Sequence, residues 1–166
     1  MQQQSLSWLR NTIALIIISA IAVITEVQAF PFALKPLSPT NETLENHSPS
    51  VVTVAMIYQP DCSWCKKQGK TLAKAIKQCQ SSIKIALIGT KGNARQLKQE
   101  LRHYHQDFPA FIADREFLRT IGGYQASPTT LVFDDKGKLI AKKLGFIPEE
   151  KLTMALEIIS LGSCQI

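Results

Sequence analysis

Apolar and polar positions change their pattern at about residue 50, and everything after that point reads as regular structure. Residues 51–58 (VVTVAMIY) form an unbroken apolar and β-branched run, the pattern of a strand covered on both faces. Pro60-Asp61 ends it. Over 62–78, Leu72, Ala73, Ala75 and Ile76, with Cys79 just beyond, recur near helical spacing and predict an amphipathic helix. Residues 83–88 predict a second strand, followed by Gly89 and Gly92. Residues 94–104 predict a helix with Leu97 and Leu101 on one face. A short strand is expected at 108–112 and a short helix at 115–121, ended by Gly122-Gly123. Residues 129–133 and 138–144 flank the turn Asp134-Asp135-Lys136-Gly137 and predict a hairpin. Pro148 then opens a last helix over 149–161. The order β-α-β-α-β-α-β-β-α specifies an α/β domain whose sheet starts parallel and finishes antiparallel, a mixed central sheet flanked by helices.

The front of the chain follows other rules. After Arg10 comes the apolar run 13–24 (IALIIISAIAVI). Spanning a bilayer takes about 20 apolar residues, and this run has roughly 12, the length of a signal-peptide core. Val27-Gln28-Ala29 offers small residues where a signal peptidase cuts. Residues 1–29 are therefore expected to be a signal peptide; an uncleaved N-terminal anchor that recruits Leu6, Trp8 and Leu9 is the alternative. Residues 30–50 are rich in Pro, Ser, Thr and Asn and are expected to be a flexible linker. Residues 51–166 form the domain. Export places its cysteines where disulfides form.

Composition narrows the function. The chain has 166 residues, 45% hydrophobic, enough for one core. Its 19 Lys and Arg against 13 Asp and Glu give +6, but the lysines are spread along one helix (Lys66, Lys67, Lys70, Lys74, Lys77) and around the hairpin. No Arg-rich run interleaved with aromatics appears, so a solvated surface, and no nucleic-acid partner, is expected.

The chemistry lies in Cys62-Ser63-Trp64-Cys65, which follows a predicted buried strand and opens a predicted helix. A thiol at a helix start meets unpaired N–H groups and the positive end of the helix dipole. Both favour the thiolate, the attacking species in disulfide exchange. Cys62 is the expected nucleophile, and Cys65, one turn inward, the resolving thiol. Lys66 and Lys67 would lower the thiol pKa and Asp61 would raise it. A metal site would have to add Cys79, His103 or His105. Zinc sites of this kind bring a second close cysteine pair, which is absent here, so no metal is expected. Haem attachment needs a His after the second cysteine, where this chain has Lys66. Trp64, between the thiols, is expected to be exposed on a docking surface, and Tyr124 and Phe146 are expected in the core.

A second element, Ser127-Pro128-Thr129-Thr130, enters a strand about 60 residues later, and an X-Pro bond there is a candidate cis peptide. With Tyr58-Gln59-Pro60-Asp61-Cys62-Ser63-Trp64-Cys65 and the Asp135-Lys136-Gly137 hairpin, it makes residues 51–161 resemble the thioredoxin superfamily. The stretch 108–144 looks most like the exported TlpA/ResA type, which inserts a strand and a helix before the proline loop. The resemblance implies a thioredoxin-like fold with Pro128 cis and facing the cysteines, and with the Ser127 backbone pairing with a bound substrate chain. Six residues before the first cysteine, where many thioredoxins carry a buried Asp, this chain has Met56. In the topology so implied, the first and last helices share a face and their C-terminal ends meet. A structural disulfide between Cys79 and Cys164 is therefore expected.

Together these readings give an exported protein thiol–disulfide oxidoreductase in the periplasm or another extracytoplasmic space. It acts on protein thiols and disulfides and needs no cofactor. Ser63-Trp64 lacks the His that stabilises the thiolate of strong oxidants in the family, so reduction is the expected direction, with a membrane electron donor as partner. Contact with the membrane itself would come only through an uncleaved N-terminal segment. Two other readings share the sequence: an isomerase or assembly factor for an envelope secretion or conjugation apparatus, and a non-enzymatic binding module with a static CxxC disulfide.

Overall fold

Strand β2, Val52–Tyr58, is the spine of the fold because its side chains alternate between two separate cores. Val54, Met56 and Tyr58 face one, and Ala55 and Ile57 the other. Such two-sided burial is what an unbroken apolar run predicts. The computed structural model describes residues 33–37, 51–79, 83–162 and 164. The expected signal peptide and its cleavage site lie outside them. No helix among the described residues is long and apolar enough to cross a membrane.

Helix α1, Ser63–Cys79, follows β2, and β3, Ile83–Gly89, pairs parallel with it. Helix α2, Ala94–Glu100, begins at an Asn93–Gln96 capping box and passes into a 3-10 turn at Leu101–His103. The predicted single helix over 94–104 is thus two pieces. Strand β4 is limited to Ala110–Ile112, since Pro109 has no N–H to give a ladder. Helix α3, Arg115–Thr120, is capped by Asp114. The hairpin β5, Thr129–Phe133, and β6, Leu139–Leu144, precedes α4, Glu149–Ile159.

With a further strand β1 at Lys35–Pro36, the sheet order is β1-β4-β3-β2-β5-β6, with β2, β3 and β4 parallel and the outer pairings antiparallel. Helices α1, α2 and α4 contribute Leu72, Leu97 and Leu152 to one core, and α3 contributes Phe117 to the other. The predicted elements are present, with one addition. Strand β1, Lys35–Pro36, lies inside the stretch expected to be a flexible linker. Residues 33–37 correct that expectation: Lys35 and Pro36 pair antiparallel with Ile112 and Phe111. Leu34 packs on one face of the sheet and Leu37 on the other, as odd spacing along a strand requires. A proline-rich composition hid two well-spaced leucines, and proline is tolerated on an edge strand.

Candidate active site

The parallel strands β2 and β3 end at the same edge of the sheet, where Pro60 and Asp61 turn the chain into α1. Asp61 takes a left-handed backbone (φ 57°), a conformation Asp tolerates better than most residues. Cys62 comes next and its carbonyl accepts the first helical hydrogen bond, from Lys66 N at 3.1 Å. That makes Cys62 the N-cap of α1. Its Sγ takes the place of the usual capping oxygen and accepts the N–H of Cys65 at 3.1 Å. Cys62 and Cys65 are joined in a disulfide, with Cα atoms 5.2 Å apart. Cys62 keeps 9% of its surface at the rim, whereas Cys65 keeps none.

The proline loop arrives at the same edge through the register of β2 with β5, which pairs Ile57 with Thr129. Pro128, one residue earlier, therefore stands level with the end of β2. The Ser127–Pro128 bond is cis, and the Pro128 carbonyl accepts the N–H of Gly145 at 2.8 Å. Tyr124 ties the two loops together. Its hydroxyl donates to Gln59 Oε1 at 3.0 Å and also meets the Ser127 hydroxyl. Burial pushes its phenol up to about 12.

Trp64 is 55% exposed on the rim. Its ring lies 5.2 Å from that of Phe146, and Lys67 Nζ sits over both, 5.3 Å and 4.8 Å from their centres. Buried Gln68 fixes this platform by accepting the N–H of Ile147 at 2.7 Å, linking α1 to the loop after β6. Tyr124 and Phe146 were expected in the core. Both are only partly buried and border the site, because each belongs to a loop whose glycines hold it at the sheet edge.

Beneath the cysteines the surroundings are largely apolar. Met56 and Tyr58 lie fully buried in the core that holds Cys65. Tyr58 donates its hydroxyl to the Leu97 carbonyl at 3.1 Å and packs edge-on against Tyr104, with ring centres 5.2 Å apart. Burial, and after it the Glu100 carboxylate, pushes both phenols well up. Glu100 is itself buried and meets Lys66 Nζ at 3.6 Å. Lys66 is thereby matched by a carboxylate, and Lys67 is turned over the rings. Gly69 must be glycine, since a Cβ there would stand 2.3 Å from the Tyr104 ring.

At the other end of α1, Cys79 is bonded to Cys164, with Cα atoms 4.6 Å apart. Both are buried in the core that also holds Leu72, Leu152 and Leu156. The structure thus brings Cys62, Cys65, Trp64, Ser127 and Pro128 to one edge and sets Cys79 and Cys164 apart. Among the described residues no group of three His, Cys, Asp or Glu could hold a metal ion.

A disulfide-bonded CxxC at the start of a helix, on a mixed sheet beside a cis-proline loop, is the arrangement of a protein-disulfide oxidoreductase. The chain belongs to the thioredoxin-like family, whose domain model matches residues 40–159. No curated protein matches it. Among solved structures it is similar to the exposed lipoprotein thioredoxin Etrx1 of Streptococcus pneumoniae, at 16% identity and TM-score 0.64, covering 76% of this chain and 98% of that one. A secreted Mycobacterium tuberculosis disulfide oxidoreductase homologous to E. coli DsbE is similar at 13% identity and TM-score 0.62, over 81% and 98%. StoA of Bacillus subtilis is similar at 17% identity and TM-score 0.59, over 74% and 93%.

Proposed function

We propose that the protein is an exported thiol–disulfide oxidoreductase that reduces disulfides in other proteins by dithiol exchange. The observation that carries this reading is the contrast within one turn of helix. Cys62 Sγ is at the rim and receives an N–H at 3.1 Å, while Cys65 is fully enclosed. In the reduced protein the same N–H and the positive helix end stabilise a Cys62 thiolate. That thiolate attacks a partner disulfide, forming one S–S bond and expelling one partner thiolate. Cys65, after losing its proton, attacks Cys62 Sγ, releases the second partner thiol and closes the Cys62–Cys65 bond. The two electrons come from the cysteines, so no cofactor takes part. Trp64, Ser127 and Pro128 lie at the same sheet edge as Cys62 and are assigned to holding the partner chain. A membrane electron donor would return the disulfide to the dithiol.

Export through residues 1–29 completes the reading. It is supported by the apolar run 13–24 and by similar structures described as exposed or secreted. The deciding experiment is equilibration of the Cys62–Cys65 pair in thiol–disulfide buffers, followed by Trp64 fluorescence. A potential near that of thioredoxin, about −270 mV, supports a reductase; one near about −120 mV, the range of strong oxidants, refutes it.

A further inference from the structure

Two lysines at the rim of the site, Lys67 on α1 and Lys91 in the loop after β3, have no carboxylate partner among the described residues, whereas Lys66 and Lys74 on α1 each have one. Lys66 meets Glu100, and Lys74 meets Glu149 at 3.0 Å. Lys67 instead rests on the Trp64 and Phe146 rings, and Lys91 Nζ lies 5.0 Å from the centre of the Tyr124 ring. Neither forms an ion pair among the described residues. Each ammonium is held in place by an aromatic face that contributes no full negative charge.

Their placement flanks the reactive sulfur. The sheet order β3-β2-β5-β6 sets the loop after β3, with Lys91, on one side of the strand leading into Cys62, and the loop after β6, with Phe146, on the other. The loops 59–62, 90–93, 113–114, 122–128 and 145–148 at this edge hold two acidic residues, Asp61 and Asp114, and the Asp114 carboxylate is engaged by the Phe117 N–H as the cap of α3. Lys91 also holds a left-handed backbone (φ 54°), where a lysine is disfavoured and Gly or Asn would sit more easily. Gly92 beside it packs so closely on Pro60 that an added Cβ would come within 2.6 Å of the proline ring. The lysine is therefore presented from a loop braced against the turn that carries Cys62.

We propose that the partner of this protein is an acidic segment, with carboxylates on both sides of its reactive cysteine that engage Lys67 and Lys91. The rings of Trp64 and Phe146 take the apolar side chain next to that cysteine. Unpaired charges around a site raise encounter rates with complementary partners and fall in influence as salt is added. The proposal rests on the exchange reading above and specifies its substrate class.

The test uses the full chain, reduced with dithiothreitol and desalted. Three peptides carry one cysteine as a mixed disulfide with 2-nitro-5-thiobenzoate, and differ only in Glu, Gln or Lys on either side of it. The Cys62 thiolate attacks the peptide sulfur and the nitrothiobenzoate leaves as a coloured thiolate. Cys65 then displaces the peptide thiol and closes the disulfide. At low salt the Glu peptide should react roughly 10-fold faster than the Lys peptide, and the ratio should shrink toward 1 near about 0.5 M salt. Lys67→Gln/Lys91→Gln should collapse the ratio at low salt. Lys136→Gln/Lys151→Gln changes the net charge equally at exposed positions outside these loops, and should keep it. Equal rates for all three peptides, or equal collapse in both double variants, overturns the acidic partner and leaves exchange standing. No reaction even with the Gln peptide overturns the exchange reading and the proposal with it.

Discussion

One helix carries a cysteine at each end, and the two differ in almost everything except burial. Cys62 is bonded to a residue three positions away, and Cys79 to one 85 positions away. At the N-terminal end of α1 free N–H groups and the dipole favour a thiolate; at the C-terminal end the carbonyls oppose it. Cys62 borders exposed Trp64, whereas Cys79 and Cys164 are enclosed with Leu152 and Leu156. Loop length separates them again. On the chain-entropy model a bond closing 85 residues restrains the unfolded chain by about 4–5 kcal/mol, against about 2 kcal/mol for the smallest loops. The same sulfur chemistry is thus reactive or structural according to the field along the helix and the length of chain enclosed.

The sharpest way to break this comparison is to exchange single sulfurs. Cys62→Ser should lower disulfide exchange by about 10³-fold or more and trap no partner, because the rim thiolate is gone. Cys65→Ser should accumulate a mixed disulfide through Cys62, visible as an adduct by mass spectrometry. Equal trapping by both variants would sink the assignment of Cys62 as nucleophile and Cys65 as resolving thiol.

The opposite end predicts a loss of stability without loss of chemistry. Cys79→Ala/Cys164→Ala should reduce unfolding free energy by up to about 4 kcal/mol, read from the urea midpoint. Exchange per folded molecule should stay within about twofold, since this bond lies at the far end of α1. A fall in rate matching that of Cys62→Ser would erase the distinction between the two bonds.

A smaller effect is expected in alkali, and it belongs to the reactive end alone. All three tyrosines, Tyr58, Tyr104 and Tyr124, lie there, and burial raises each phenol above its usual value near 10. The folded protein therefore keeps protons that the unfolded chain loses above pH 10. Their contribution to stability is complete below that pH and declines as pH rises toward and beyond about 12. Denaturation midpoints measured from pH 9 to 12 should fall only in the upper part of that range.

The finest distinction is between the paired rings of Tyr58 and Tyr104. Tyr58 donates a buried hydrogen bond, so Tyr58→Phe should cost about 1 kcal/mol. The buried hydroxyl of Tyr104 has no hydrogen-bond partner among the described residues, so Tyr104→Phe should be close to neutral or slightly stabilising. Thermal melts of the two variants compare them directly.

Much of this was readable from residue order because it depends on local period and on motifs with mechanisms. The two-sided run 51–58, the helix after Cys62 and the hairpin at Gly137 each carry their own signal. The rim of the site does not. Tyr124 and Phe146 are single aromatics in glycine-bounded loops, with no period to say which way they face. Gln68 reaches Ile147 across 79 positions, a contact that exists only after the sheet has assembled. In the sequence nothing distinguishes Glu100 from any polar helix position, and only packing shows that Lys66 lies against it. Strand β1 was hidden because composition outweighed two leucines.

That short strand has a mechanical meaning. It grips the sheet by two paired residues and by one leucine on each face, Leu34 and Leu37, in the manner of a clip closed over an edge. Tension arriving from the N-terminal side of the chain meets this clip before it meets β2. Releasing it would bare the edge of β4 and open the two cores only at their margin. The last helix stays covalently fastened to α1 through Cys164, so the yielding part and the reinforced part of the domain are different pieces of chain. A tug on the leading segment would be absorbed at the clip while the cysteine edge keeps its shape.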